Sequence, residues 1–382
     1  MIVHIITNDH LGPKYDLGLR GRSTAGTQRQ MTKILIDGRR LSDNPTGLSR
    51  YTREIIEALS AEYGKENISV LVNEDLRNKP DCQVITTKLK PFNPLHFLRL
   101  PFRLNRLDFT LYYATFYSGL YYFKGKRKQI FTVHDLMYLR IENYFSNNNI
   151  RNWFSKFLMN SIVRLSLRAS SLVISVSETT RNDLKEFFGQ ESTVIGEGVN
   201  QLEENPTNKG SLLNKLQLEK EKYFLYVGNF RKQKNTGFLV EAFLKSNSTD
   251  KLVMVGNSEQ PSNRHNNIVF TGILPDSEIQ TLYQNALAFV LPSLYEGFGL
   301  PILEAYAAGT RVFSSYRGAL KEFKEMKISY FSIENTDELV ALLQNAGNIP
   351  KQTESDIDLV KEKYSWKKQT NKIVDSIRLL SN

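Results

Sequence analysis

An α/β architecture with two doubly wound halves is expected from three features of this 382-residue chain. Short apolar runs alternate with stretches of helical spacing, first over residues 34–199 and again over residues 223–315. A polar, charged segment that contains Pro206 and Gly210 separates the two blocks. Ligands of such folds sit beyond the carboxyl ends of the strands, so a site is expected in a cleft between the halves.

The first half is predicted to hold six strands and three long helices. The helices run from about Arg50 to Gly64, from about Ile150 to Arg168, and over TTRNDLKEFFG. The strands are short apolar runs that end at loop residues: ILID, ISVLVN, LYYAT, QIFTVHDL, SLVISVSE and STVIGEGV.

The second half repeats this alternation with five predicted strands. Its helices are predicted over NTGFLVEAFLKS, PDSEIQTLYQNA and PILEAYAAG. Its strands are YFLYVGN, KLVMVG, NIVFTG, LAFVLPS and TRVFSS.

Composition limits the kind of protein. With 41% hydrophobic and 24% charged residues the chain is an ordinary globular one, and its length suits two or three domains. Its single cysteine, Cys82, excludes a disulfide framework and multi-cysteine metal sites, which fits a cytoplasmic setting. No run of 18 apolar residues occurs, so no membrane span is expected. The net charge of +10 suggests an anionic partner: nucleic acid, an acidic membrane surface or phosphorylated small molecules.

The first 30 residues do not have the pattern of a signal peptide. MIVHIITNDH lacks a basic start, and its apolar run is too short. Met31 then opens MTKILIDGRRLS, which is typical of a protein start followed by a buried strand. Residues 1–30 are therefore interpreted as an extension of unclear status.

Two glutamates bracket a glycine-rich turn in SLYEGFGLPILEAYAAGT, Ser293 to Thr310. Glu296 follows the carboxyl end of a predicted strand, and Glu304 is expected in the first turn of the next helix, with Pro301 at its first position. Gly309 is expected to close that helix. Both carboxylates are then expected to face one cleft.

This combination suits a ligand that carries both hydroxyls and phosphate. A carboxylate can accept hydrogen bonds from two vicinal hydroxyls. Gly297 and Gly299 let backbone amides approach a ligand, and a helix N-terminus attracts phosphate. The alternative for either glutamate alone is a plain turn with a carboxylate favoured by the helix dipole.

EGFGLPILEAYAAGT resembles the E-x7-E signature of the family 4 retaining glycosyltransferases of the GT-B fold. The resemblance covers most of residues 31–380 and continues through PTGLSRYTREI, TVHDL, LVISVSETTRNDL, YVGNFRKQKN and YSWKKQTNKIVDSI. It implies two Rossmann-like domains that face each other across a cleft. Residues 31–205 would bind the acceptor and residues 223–362 the nucleotide sugar. Residues 206–222 would be the linker, and a helix within 363–382 would return to the first domain.

The resemblance also implies roles for the two glutamates and for the loop over residues 296–300, which is called the donor loop. Glu304 would bind the ribose hydroxyls of the nucleotide, and Glu296 would contact hydroxyls of the transferred sugar. The residues between them would line the sugar and diphosphate through their backbone: Gly297, Phe298, Gly299 and Leu300.

Cations for the leaving diphosphate are expected from GNFRKQKN, because fixed positive charge stabilises the departing group. Lys234 stands at the family's lysine. Asn229 occupies a donor-binding position where many relatives have arginine, so Arg231 is the nearest candidate for that arginine, and Lys232 is another. By resemblance the catalytic set comprises His134, Lys234, Glu296 and Arg231.

Three further residues are expected at the cleft. Gly47 would approach the diphosphate or acceptor closely, although a plain turn glycine is the alternative. His134 ends a strand and would contact the donor sugar or its phosphate; the alternative is a structural histidine. Asp135 is assigned to the acceptor, whereas Ser177 and Glu178 are interpreted as helix caps. No DxD follows a strand near these motifs, so neither a catalytic metal nor a cofactor is expected.

The basic charge concentrates in residues 88–107, where cations alternate with apolar residues and no acidic residue occurs. The segment YYFKGKRKQ repeats this composition. Basic and aromatic residues together favour an anionic membrane surface. Nucleic acid is the rival partner, and an ordinary helix packed by its apolar face is the plain alternative. The cations are Lys88, Lys90, Arg99, Arg103 and Arg106.

The leading hypothesis is a retaining, metal-independent hexosyltransferase on the inner face of the cell membrane. It would move a hexose from GDP-mannose or a UDP-sugar to a hydroxyl of a lipid-linked saccharide in bacterial surface polysaccharide synthesis. The alternatives are a transferase with a soluble sugar acceptor, a nucleotide-sugar epimerase, or a non-enzymatic basic surface-binding protein. No nucleic-acid partner is expected.

Overall fold

A computed structural model of the chain describes residues 32–43, 46–89, 94–199, 209–257 and 265–381. These ranges belong to one compact unit that spans Thr32–Asn382. The predicted extension over residues 1–30, the cation Lys90 and the first part of the predicted linker lie outside the described ranges.

The described strands form two parallel sheets, which confirms the predicted α/β doubly wound architecture. The first sheet has the order β3-β2-β1-β4-β5-β6-β7 and the second β10-β9-β8-β11-β12-β13. The first comprises β1 Ile34–Asp37, β2 Ile68–Asn73, β3 Gln83–Thr87, β4 Leu111–Ala114, β5 Lys128–Val133, β6 Leu172–Ser175 and β7 Thr193–Val194. The second comprises β8 Tyr223–Val227, β9 Lys251–Val255, β10 Ile268–Gly272, β11 Ala288–Leu291, β12 Arg311–Ser315 and β13 Ile328–Phe331.

Helices connect the strands and cover the sheets. In the first half they are α1 Gly47–Tyr63, α2 Pro94–Leu104, α3 Met137–Arg140, α4 Asn149–Arg168 and α5 Glu178–Phe188. The rest are α6 Lys209–Lys215, α7 Thr236–Lys245, α8 Asp276–Asn285, α9 Leu300–Ala307, α10 Asp337–Gln344, α11 Glu354–Lys363 and α12 Trp366–Ser381. Within the described residues, none of the helices is long and apolar enough to cross a membrane.

The first sheet is buried on both faces because successive side chains of a strand point to opposite sides. Ile34 and Ile36 of β1 join a core with α1 and α12, whereas Leu35 joins a second core with α2 and α4. The second sheet has its own core, built around β8 and β11. Continuous apolar runs such as ILID are therefore central strands.

Helix α12 crosses back and packs on α1 of the first half. Trp366, Ile373 and Ile377 are buried in the core shared by α1 and the first sheet. At the crossing, the Val199 amide donates to the Tyr364 carbonyl over 2.7 Å, and Val199 also bridges to Ser365. The segment that leaves the first half at Val199 and the segment that returns to it at Tyr364 therefore lie side by side.

Both sheets reverse their winding direction at a central pair of strands. In the first sheet the chain winds outward in opposite directions from β1 and β4, and in the second from β8 and β11. A crevice opens at the carboxyl ends of such a pair. The loops after β8 and β11 carry Asn229 to Lys234 and Glu296, so the topology brings the basic loop beside the donor loop.

Some predicted boundaries were wrong. The edge strands β3 and β13 were not predicted, and part of the predicted linker is helix α6. Helix α1 begins at Gly47 rather than near Arg50, because the Thr46 side chain accepts from the Ser49 amide over 3.3 Å and caps the helix. Gly47 is thus the first helical residue.

Candidate active site

Lys234, in the loop after β8, contacts Glu296, in the loop after β11. The ammonium of Lys234 lies 2.6 Å from Glu296 Oε1, and the Ser293 hydroxyl donates to the same oxygen over 2.6 Å. The side chains of Lys234 and Glu296 are only 13% and 9% exposed. The Leu294 amide donates to the Gln233 carbonyl over 2.8 Å and ties the two loops together. A carboxylate and a cation are therefore held next to each other at this crevice.

The turn between the two glutamates lies directly against the first half of the protein. A Cβ placed on Gly297 would lie 2.1 Å from the backbone oxygen of His134, so only glycine fits there. Gly299 has φ +113° and precedes α9, in the left-handed region that glycine tolerates. Phe298 is buried, with its ring 5.8 Å from Phe323. Leu300 opens α9.

Glu304 lies in the second turn of α9, not in the first as predicted, because the helix already begins at Leu300. One of its oxygens pairs with Arg50 of α1, and the other accepts from the Tyr283 hydroxyl over 3.2 Å. Burial raises the pKa of the Glu304 carboxyl, and the guanidinium of Arg50 opposes that rise. Arg50 also pairs with Asp276.

His134 follows β5 and is held by both ring nitrogens. Nε2 lies 2.8 Å from the Thr115 carbonyl, and Nδ1 lies 2.9 Å from Glu197 Oε1. Because a carbonyl only accepts, Nε2 carries a proton in this arrangement. The ring is nearly buried, with an edge-on contact to Tyr51 at 4.7 Å. Both ring nitrogens of His134 therefore have partners in the first half of the protein, while the backbone carbonyl of His134 faces Gly297.

Asp135 is partly buried beside His134. Its carboxylate accepts from the Met137 amide over 3.0 Å, at the start of α3, and from the Tyr117 hydroxyl over 3.4 Å. Burial raises the pKa of the Asp135 carboxyl. In this structure Asp135 orders the turn after β5.

Two arginines, one from each half of the protein, lie near each other at the crevice. Burial and the neighbouring charge of Arg231 together lower the pKa of Arg40, so these two residues from opposite halves lie close. Asn229 is exposed, and its side-chain oxygen accepts from the Arg231 amide over 3.2 Å. Lys232 is exposed on the same turn as Lys234. Like charges brought together in this way suit a multiply charged anion.

The structure adds four residues to the site that the sequence analysis did not single out. They come from α1 and the loops after β1 and β7, which are distant in sequence from the donor loop, and from α8, which precedes it. For three of them the available signal was a polar residue that follows a strand or lies in the first turn of a helix; Tyr283, near the end of α8, carried no such signal. They are Arg40, Arg50, Glu197 and Tyr283.

Two family models match the chain. Residues 45–201 match the model described as Glycosyltransferase Family 4, and residues 209–360 match the model described as Glycosyl transferases group 1. Among curated proteins, the O-antigen chain mannosyltransferase B of Escherichia coli is 24% identical over 315 residues, which cover 72% of this chain and 80% of that protein.

Solved structures match nearly the whole chain. A sucrose-phosphate synthase from Thermosynechococcus elongatus has a TM-score of 0.73 at 20% identity, over 91% of this chain and 99% of that one. Anabaena HepE, in complex with UDP and glucose, has a TM-score of 0.68 at 17% identity, over the same shares of the two chains. At these identities the likeness concerns the fold.

Proposed function

Because the chain belongs to the family 4 glycosyltransferases of the GT-B fold, we propose that it is a retaining hexosyltransferase that uses a nucleotide-sugar donor. Its acceptor would be a hydroxyl of a lipid-linked saccharide in bacterial surface polysaccharide synthesis. The similarity to an E. coli O-antigen mannosyltransferase supports this pathway class and favours GDP-mannose, whereas the fold shared with UDP-bound HepE keeps UDP-sugars as candidates.

The observation that carries the proposal is the pairing of Lys234 with Glu296 at the carboxyl ends of β8 and β11. Glu296 would accept from hydroxyls of the transferred sugar, while Lys234 would turn to the diphosphate. Arg231 and Arg40 add positive charge from the two sides of the crevice. Glu304, on the helix that follows, would accept from the two ribose hydroxyls.

These residues support a reaction on one face of the sugar. The bond between the anomeric carbon and the diphosphate oxygen breaks, and the acceptor oxygen bonds to the same face. The acceptor's proton passes to an oxygen of the leaving diphosphate, so no protein nucleophile is needed. Lys234 and Arg231 would stabilise the charge that develops on that group. We therefore expect turnover to persist in the presence of EDTA.

His134 and Gly47 would act mainly through the backbone in this scheme. Both ring nitrogens of His134 have protein partners, so its carbonyl and the adjoining turn would position the donor loop through Gly297. Gly47, with no atom within 4 Å of an added Cβ, leaves space at the start of α1 for a ligand. Asp135 would act on the acceptor side.

A thermal-shift screen tests the donor assignment. The intact protein is heated with UDP, GDP, ADP and their common sugar conjugates. A nucleotide at about 100 times its Kd should stabilise the fold by about 2.7 kcal/mol. Glu304→Ala should abolish the shift, whereas Glu325→Ala, which removes an exposed carboxylate that pairs with Lys363, should keep it. The absence of a thermal shift with every nucleotide would contradict the proposal. It would favour the alternative, a non-enzymatic basic protein that binds a surface.

An exposed apolar face on α4 supports a membrane-bound acceptor. Ile150, Trp153, Phe154 and Phe157 are 80%, 66%, 58% and 58% exposed. Their spacing of i, i+3, i+4 and i+7 places them on one side of the helix. The rings of Trp153 and Phe157 stack with centroids 5.8 Å apart. The opposite side of α4 packs into the core of the first half.

Helix α2 adds a similar surface on the same face of the first sheet. Leu100 and Leu104 are buried in the core that α4 also enters, while Leu98 and Phe102 are 58% and 60% exposed. The plain alternative, a helix packed by its apolar face, therefore accounts for only part of its apolar residues. Neither helix contains an acidic residue, and both carry cations: Arg99, Arg103, Arg151, Lys156, Arg164 and Arg168. This composition fits an anionic lipid surface.

Vesicle sedimentation measures this membrane contact. The protein should bind vesicles that contain about 30% phosphatidylglycerol, and replacing Trp153, Phe154 and Phe157 together by serine should weaken binding at least about tenfold, because aromatic burial and charge act together. Replacing Ile273 and Leu359, which are exposed at 58% and 64% on the second half, should change nothing. Equal binding of both variants, or of neutral vesicles, would favour a soluble acceptor.

A further inference from the structure

Arg50 contacts Glu304, the carboxylate that is proposed to bind the ribose, and so links the first half of the protein to the second. It lies in the first turn of α1, in the first half. One terminal nitrogen pairs with Glu304 of α9, and the other lies 2.5 Å from Asp276 Oδ1 at the start of α8. The guanidinium thus bridges from one half to two carboxylates of the other.

Both carboxylate oxygens of Glu304 already accept a hydrogen bond from a protein group. Arg50 occupies one carboxylate oxygen and the Tyr283 hydroxyl the other. A nucleotide ribose donates two hydrogen bonds through its hydroxyls, and the guanidinium of Arg50 lies against one of the two oxygens that would accept them. Ribose and Arg50 therefore compete for the same acceptor.

The ion pair between Arg50 and Glu304 is largely shielded from solvent, but the hydrogen bonding of Arg50 is incomplete. The side chains of Arg50 and Glu304 are 21% and 18% exposed, so their attraction is screened less than at an open surface. Among the described residues, Arg50 Nε is buried without a hydrogen-bond partner. An unsatisfied buried donor is unfavourable, so the arrangement is one that a ligand could replace.

Other contacts between the halves do not involve this carboxylate. The Tyr295 hydroxyl donates to Asp183, and the Glu322 carboxylate accepts from the Thr179 amide at the start of α5 over 2.7 Å. These contacts can persist while Arg50 moves. Displacement of Arg50 therefore does not require the two halves to come apart.

We propose that Arg50 is a positioning residue that closes the ribose site of the empty protein and is displaced from Glu304 by the donor. The inference rests on the proposed role of Glu304. Before the donor binds, Arg50 keeps the partly buried carboxylate paired, and the two ribose hydroxyls of the donor replace that cation. Ligands without vicinal hydroxyls cannot make this exchange, so Arg50 sharpens selection for ribonucleotides.

The test compares ligand affinity in the full chain by calorimetry. The probes are UDP and GDP, each with its nucleoside and the matching 2′-deoxynucleoside. Arg50→Gln should bind the active ribonucleoside at least about fivefold more tightly than wild type, and Arg50→Lys should lie between them.

A second ion pair on α1 supplies the control. Arg378 of α12 pairs with Glu62 of α1, away from Glu304, so Arg378→Gln should leave affinity unchanged. If wild type binds the nucleoside and Arg50→Gln binds it equally well or more weakly, this inference is overturned and the proposed function is not. A 2′-deoxynucleoside that binds as tightly as the ribonucleoside would also overturn it. Absence of binding to both wild type and Arg50→Gln would overturn the proposed function, and this inference with it.

Discussion

Replacement of Lys234 by alanine should lower kcat by about 10²–10³-fold, the usual loss when one fixed electrostatic group is removed from a developing anion. The ammonium lies 2.6 Å from Glu296, and the Lys234 side chain is only 13% exposed, so water replaces the ammonium poorly. The loss should appear in steady-state kinetics with the donor that stabilises the protein. Lys234→Arg should recover part of the rate because it keeps the positive charge.

Lys232 provides the matched control for this experiment. It occupies the same short helical turn, and its side chain is exposed. Lys232→Ala should therefore change kcat by less than about threefold, as expected for a solvated surface charge. Equal losses in the two variants would mean that the turn, rather than the Lys234 ammonium, matters. An unimpaired Lys234→Ala enzyme would remove this lysine from the mechanism.

Gly297→Ala should impair both the fold and the reaction. The new Cβ would lie 2.1 Å from the His134 carbonyl oxygen and 2.8 Å from the Asp135 Cβ, and backbone cannot move away as a flexible side chain can. Overpacking of this kind destabilises by about 1–3 kcal/mol. Displacement of the donor loop by about 1 Å should reduce kcat/KM by about 10²-fold. Denaturant unfolding and steady-state kinetics measure the two effects.

Gly237 is a suitable comparison because no atom lies within 4 Å of a Cβ added there. It sits in the first turn of α7, where alanine is a better helix former than glycine. Gly237→Ala should therefore leave stability equal or raise it by up to about 1 kcal/mol, with full activity. A Gly297→Ala protein as stable and active as Gly237→Ala would show that the two halves do not meet at this turn in solution.

The central strands were predictable because they are buried on both faces. ILID and LYYA are buried at every position, so their apolar runs stand out. Two edge strands differ: β3, QVITT, has only Thr87 buried, and β13, ISYF, only Phe331. A half-covered edge tolerates polar residues, and the apolar signal is lost. The start of α1 was misplaced because Gly47 resembles a loop residue although Thr46 caps the helix there.

The donor loop was predicted from local motifs, but its partners were not. Lys234 and Glu296 follow two strands that the fold places side by side, and the order of motifs along the chain indicated this. Arg50 is 254 positions from Glu304, and Glu197 is 63 from His134. No local pattern marks such pairs, because they form only when strands and helices distant in sequence are packed together. The roles assigned to these residues stay predictions.

The paired crossing segments at Val199 and Tyr364 define how the two halves can move. The chain passes between the halves at these two neighbouring places, and the segments are joined by a 2.7 Å hydrogen bond. Gly198 lies against the backbone of Trp366 so closely that an added Cβ would be 2.5 Å from its amide nitrogen. Sliding or separation would strain both segments at once, so rotation about their common line is the low-energy motion, as in a hinge. Opening of the crevice then has a single degree of freedom, and one distance between two spectroscopic labels, placed on either side, reports the whole movement.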